Sequence, residues 1–146
     1  MTEIRRTIQI NAPIEKVFKY ASDYHRWPEF YIGVSDFNPI TETTRGNGTK
    51  YIYQAKMFGM KNKVGTEITE FKENEGWIGK SFKGLEHKTI WIFKRIESET
   101  EFTHGLVYKV PWYMGGNWVD RKFLQPEWER IIEKSLQNLK QIMETT

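Results

Sequence analysis

The chain predicts an α+β fold in which a seven-stranded, curved antiparallel sheet wraps a long C-terminal helix, with two short helices after the first strand. Three observations carry this. Residues 33–110 read as period-two segments broken at regular intervals by turn residues. A single apolar stripe of helical period fills residues 128–143. Between the first strand and the meander lies a proline-opened amphipathic segment.

The elements follow in order. Ile4, Ile8 and Ile10 alternate with polar residues over Glu3–Asn11, which fits a half-buried strand, although Arg6 interrupts the pattern. Pro13 then fixes φ at the opening of a helix, Glu15 sits in its first turn, and Ile14, Val17, Phe18 and Ala21 recur on one face. Over Ser22–Tyr31 a second helical turn is expected to break at Trp27-Pro28, because the proline ring disfavours the α region for the residue before it. Turn signals at Gly46–Gly48, Gly59–Asn62, Asn74–Gly76, Gly84–Glu86 and Ser98–Thr100 divide the next stretch into a six-strand meander. Tyr51, Tyr53, Ala55 and Met57 form one expected inner row; Phe102, His104, Leu106, Tyr108 and Val110 form another. Ile90, Trp91, Ile92 and Phe93 are consecutive, so periodicity leaves the inner pair of that strand open. Pro111 ends the sheet. Trp112–Gln125, with its Gly115-Gly116 pair, reads as an irregular or weakly helical passage that could act as a lid. Pro126 opens or kinks the final helix, whose stripe runs through Trp128, Ile131, Ile132, Leu136, Leu139 and Met143.

Composition narrows the function. At 146 residues, 38% hydrophobic and 28% charged, one globular domain over residues 1–146 is expected, with no repeat or linker to divide it. Aromatic residues make up 15%, with six Trp, seven Tyr and nine Phe, a heavy load that the fold must accommodate. No cysteine means no disulfide and no thiolate chemistry, which suits a reducing, cytoplasmic setting. No run of about 18 apolar residues and no basic-then-apolar leader pattern occurs, so stable membrane insertion is not expected. The net charge is +3, but Lys and Arg are interspersed with Glu, and no nucleic-acid partner is expected. Glu67, Glu70, Glu73 and Glu75 read as a solvated face. Three isolated histidines lack metal-ligand spacing, so neither a metal nor another cofactor is expected. Gly46-Asn47-Gly48 lacks the Lys-Ser/Thr and helix of a phosphate loop, and a hairpin turn accounts for it.

Ile10-Asn11-Ala12-Pro13-Ile14-Glu15-Lys16-Val17-Phe18, then Trp27-Pro28-Glu29-Phe30, then Ser135 to Lys140 near the end of the chain together resemble the SRPBCC superfamily. More closely, the chain is similar to the polyketide cyclase/dehydrase-like branch of these START-like and birch-allergen-like proteins, over essentially its whole length. The resemblance implies the helix-grip fold and a cavity between the concave sheet and the long helix. It transfers no catalytic residue, since such relatives include cyclases, carriers, receptors and chaperone activators.

With that fold, Trp27, Tyr31, Tyr53, Trp77 and Trp91 lie on elements expected to converge on the cavity or its mouth. So do Tyr108, Trp112, Trp118 and Trp128. Rings with polar tips suit a planar or hydroxylated ligand, although aromatics are more often buried simply for packing. His104, mid-strand on the inner row, is the one candidate acid or base, with Tyr108 to polarise a carbonyl. Its commoner fate is a neutral, hydrogen-bonded core histidine. His25 and His87 are placed on surface turns. The leading expectation is binding of a small hydrophobic or aromatic molecule, lipid or polyketide-like. A cyclase or dehydrase acting through His104 and Tyr108 is one alternative. A protein-interaction module using the rings of Trp112–Trp118 is the other.

Overall fold

The computed structural model describes residues 1–57 and 60–146. Strand β1 (Thr2–Ile10) leads into α1 (Ile14–Ala21), a 3-10 turn (Tyr24–Arg26) and α2 (Trp27–Phe30). The meander follows as β2 (Val34–Pro39), β3 (Lys50–Met57), β4 (Met60–Lys72), β5 (Gly76–Lys83), β6 (His87–Ile96) and β7 (Glu99–Tyr108). A 3-10 turn (Trp112–Met114), α3 (Gly116–Val119) and a π turn (Asp120–Leu124) then run into α4 (Gln125–Thr145). The strands form one antiparallel sheet in the order β1-β7-β6-β5-β4-β3-β2, so the first strand closes the sheet beside the last. The tip of the turn expected over Gly59–Asn62 lies outside the described residues, as does the side chain of Met57; Met60–Asn62 already belong to β4.

The sheet bends where its register slips. One irregularity falls between Ser35 and Asn38, beside Asp36 at φ 57°, and another between Thr69 and Lys72, beside Glu70 at φ 52°. An extra residue in one strand sharpens twist and bends that strand, which is how a meander comes to curve around a helix. The concave face carries a ladder of rings. Trp91 stacks on Trp77 at 4.8 Å, and Phe93 on Phe102 at 4.6 Å, while Phe18 of α1 meets Phe93 edge-on at 5.1 Å. These contacts settle β6: Trp91 and Phe93 point inward, Ile92 is exposed, and Ile90 covers Gly105 on the convex side.

Three local readings are corrected. Trp27 adopts φ −55° and ψ −44°, an α conformation despite the proline after it. Its indole Nε1 donates to the Ala21 carbonyl at 2.7 Å and its ring packs edge-on to Tyr51, anchors that outweigh a steric preference. His87 is not on a surface turn: it begins β6, half-buried and hydrogen-bonded. His25 does sit in an exposed turn, next to Asp23. Arg6 does not break the β1 alternation, because it stands on the helix-facing side and pairs with Glu133 of α4 at 3.1 Å. Pro126 enters a chain that is already helical. The Gln125 N–H reaches back to the Asp120 carbonyl, a widened turn just ahead of a residue that has no N–H to give.

Candidate functional site

Two phenol-imidazole sets face the space between sheet and helix. The first begins at Tyr31, the residue that ends α2. Its position is fixed from both sides, since the Ile32 N–H donates to Ser135 Oγ at 2.9 Å and Asn138 Nδ2 donates to the Phe30 carbonyl at 3.1 Å. So held, the Tyr31 hydroxyl lies 3.0 Å from His104 Nε2. His104 is fully buried, with Trp91 edge-on at 4.5 Å. Burial opposes charge on the imidazole and holds its pKa at about 3, well below the usual 6.5; the neighbouring Ile90 backbone favours a ring proton more weakly. Nδ1 makes no hydrogen bond of proper geometry. A phenol O–H is the stronger donor and a neutral imidazole nitrogen the stronger acceptor, so the ring is assigned Nδ1–H, with Nε2 accepting from Tyr31.

The second set crosses three strands. His87 Nδ1 lies 2.8 Å from the Leu85 carbonyl, which can only accept, so Nδ1 carries the proton and Nε2 is an acceptor. Burial lowers the His87 pKa and keeps the ring neutral. Thr66 Oγ1 therefore donates to Nε2 at 3.3 Å, and the Tyr53 hydroxyl donates to Thr66 at 3.1 Å. Both chains end in a phenol oxygen whose own proton is committed and whose free capacity is to accept. Desolvation raises both phenols above the ordinary tyrosine range, and Tyr53 is near enough to raise Tyr31 further. Both phenol side chains are half-buried.

Space is uneven along the strands. At the end bounded by Trp27, Tyr51, Phe71 and Trp77 the rings close up, leaving about 10 Å³, room for one water. At the opposite end an open depression of about 220 Å³ is bordered by Glu86, Lys109, Pro111 and Trp112. His87 and Tyr108 are the chain neighbours of Glu86 and Lys109, so the second polar set lies at the open end and the Tyr31–His104 pair lies deeper.

The ten residues singled out in the sequence separate into three groups. Tyr31, Trp91 and His104 come together in direct contact, with Tyr53 close to Tyr31. Trp27 and Trp77 are buried in the packed end, and Tyr108 is buried as well, with Trp128 half-buried against it at 6.4 Å. Trp112 and Trp118 stand outside, exposed to solvent. The pairing of His104 with Tyr108 is corrected: four residues along a strand span about 13 Å, and the Tyr108 hydroxyl is spent on Asp120, which also accepts from Thr2. Tyr31 takes the place expected for Tyr108. Thr66 and Asp120 carry no mark in the sequence, and His87 and Ser135 are read there only as a turn residue and as part of the closing helix motif, because each acts through a partner distant in sequence. An imidazole whose conjugate acid has a pKa of about 3 is a weak base at neutral pH, which disfavours proton abstraction by His104.

A curved antiparallel sheet gripping one long helix, with polar-tipped aromatic side chains between them, defines a helix-grip protein. The chain belongs to the family described as polyketide cyclase/dehydrase and lipid transport, whose model matches residues 1–144. Among solved structures it is similar to TTHA0849 from Thermus thermophilus, at 22% identity and TM-score 0.79, covering 96% of this chain and 95% of that one. The Zhui aromatase/cyclase from Streptomyces sp. R1128 superposes with TM-score 0.79 at 13% identity, covering 98% and 93%. The Aha1 dimer from Colwellia psychrerythraea gives 0.72 at 12%, covering 99% and 97%. No curated protein matches the sequence.

Proposed function

We propose that the chain binds a small, hydrophobic, planar molecule, lipid or polyketide-like, that carries hydroxyl groups, and that it does so in a cytoplasmic setting. The observation that carries the reading is the pair of phenol oxygens, Tyr31 and Tyr53, each fixed by an imidazole-terminated chain and each free to accept inside an aromatic wall. An apolar recess gives affinity by burial, while a few fixed polar groups set orientation. Ligand hydroxyls donating to Tyr31 and Tyr53 would satisfy both oxygens at once. Membership of a family described in terms of polyketide cyclisation and lipid transport, and the likeness to an aromatase/cyclase, support that ligand class.

Trp91 is the natural reporter, 6.1 Å from Tyr31 and 4.5 Å from His104. Titration with hydroxylated aromatic polyketides and fatty acids, read by tryptophan quenching and by native mass spectrometry, tests the proposal. Saturable one-to-one quenching is expected, with affinity reduced about tenfold in Tyr31→Phe, the scale of one lost hydrogen bond in a buried site. Equal binding of hydroxylated ligands and their deoxy analogues by wild type would remove the polar half of the reading; no quenching by any of them would remove all of it.

A further inference from the structure

The passage between β7 and α4 presents an apolar surface apart from the Tyr31–His104 pair. Trp112 is 87% exposed, Tyr113 71%, Trp118 64% and Phe123 51%, and Met114 stands out with them. These rings stand on three consecutive helical turns, the first two joined through Gly115 at φ 100° and Gly116 at φ 53°, a left-handed pair that reverses the backbone so briefly only because it lacks side chains. Trp118 packs edge-on to Phe123 at 5.8 Å, and Trp112 to Tyr113 at 6.0 Å, so the exposed surface consists of ring pairs and not of single scattered residues.

Cations outnumber acids around the rings, with Lys109 and Glu86 both beside Trp112. Arg121 and Lys122 are exposed beside Phe123, and neither is part of a salt bridge among the described residues. The segment's own carboxylate, Asp120, is turned inward to Tyr108 and Thr2. Of the acids that follow in α4, Glu127 is taken by Arg130 and Glu129 faces Arg6. Indole and phenol rings with methionine and phenylalanine, flanked by unneutralised cations on a convex protrusion, match the boundary between lipid headgroups and acyl chains. They match a protein groove less well, since a protein partner must supply both a concave apolar pocket and facing carboxylates. No helix among the described residues is long and apolar enough to cross a membrane.

We propose that residues 112–123 dock the protein onto the surface of an anionic lipid bilayer, with Trp112, Trp118 and Phe123 entering the interface and Arg121 and Lys122 meeting lipid phosphates and carboxylates. The contact is peripheral and reversible. It is independent of the ligand reading, because none of these side chains lines the Tyr31–His104 pair. Wherever the docked protein sits, the open depression beside Trp112 and Lys109 comes to lie at the membrane surface.

Co-sedimentation with extruded vesicles of phosphatidylcholine alone, and of phosphatidylcholine with one-third phosphatidylserine, tests this on the intact chain. Binding to the anionic vesicles, a blue shift of tryptophan emission, and weakening by added salt are expected. Trp112→Ser with Trp118→Ser should lower vesicle affinity at least about tenfold, and Arg121→Gln with Lys122→Gln about 25-fold on anionic vesicles only, at about fivefold per charge. Both variants alter exposed side chains, and their circular dichroism and melting should stay at wild-type values. Tyr31→Phe should bind vesicles as wild type does, which separates failure here from failure of the ligand proposal. Absence of binding at low salt, or binding that the tryptophan pair does not change, overturns the proposal. So does a wild-type dimer, seen in sedimentation velocity, that Trp112→Ser with Trp118→Ser dissolves, for then a second copy of the chain covers the rings.

Discussion

A neutral imidazole sealed behind Trp91 and Tyr31 resists protonation while the chain is folded, whereas in the unfolded chain it titrates near its ordinary 6.5. Its folded pKa is depressed to about 3, so between the two values the unfolded state binds a proton that the folded state refuses. Stability is therefore greatest above about 6.5 and is lost as pH falls toward 3. His87, also lowered by burial, adds a contribution of the same sign. Most of this window lies above the range where Glu15, Glu29 and Glu144 titrate, since their pKa values are lowered from 4.5. Urea midpoints measured between pH 7 and pH 5 should fall, with His104 accounting for up to about 2 kcal/mol at the lower end. His104→Gln keeps a polar partner for Tyr31 without a titrating ring, and its midpoint should depend on pH much less. A variant with the full wild-type slope would show that the proton goes elsewhere.

At the scale of elements, the stretch from Trp112 to Leu124 is tied to the sheet through the buried carboxylate of Asp120, while Leu124 packs against the core. Asp120 is 5% exposed and accepts from Tyr108 at the end of β7 and from Thr2 at the start of β1, two adjacent strands. Its aromatic neighbours on the segment point into solvent and contribute little packing. Hydrogen bonds to a charged acceptor contribute roughly 1.5–3 kcal/mol, more than the neutral bonds elsewhere in the passage. Asp120→Ala should thus lower global stability by about 2 kcal/mol. Hydrogen-deuterium exchange should quicken across residues 112–124 while β4 to β6 keep their protection, because local opening follows local contacts. If the segment exchanged as slowly in the variant as in wild type, the Gly115-Gly116 turns and the run into α4 would be what holds it. The same tie explains why the passage reads as irregular from sequence: Asp120 anchors it to Thr2, 118 positions away, which no window can show.

The architecture of the whole molecule was legible because its signals are local and repeated. The row Phe102, His104, Leu106, Tyr108 is the inner face of β7, and the stripe from Ile131 to Met143 is the buried face of α4. Ile90 to Phe93 was not legible, since both faces of β6 are apolar there and only the register against β5 and β7 separates them. Nor was the site. His104 could be placed on the inner face, but its partner Tyr31 lies 73 residues away and arrives only because α4 fixes the end of α2. The Tyr53–Thr66–His87 chain likewise needs three strands in register. The two polar sets share no hydrogen-bond partner, and only the proximity of Tyr53 to Tyr31 links them, so without ligand their coupling should be weak. In a double-mutant cycle, Tyr31→Phe and Tyr53→Phe are expected to add to within about 0.5 kcal/mol in the unliganded protein. A ligand that donates to both oxygens couples them. Its first hydrogen bond fixes the orientation that allows the second, so in the affinities from the quenching titration the double variant should lose less than the sum of the two single losses. Additivity in the bound state as well as the free one would mean that a ligand touches one phenol at a time. The recess would then orient its ligand through the Trp91 ring face and through whichever of the two sets lies at the bound end.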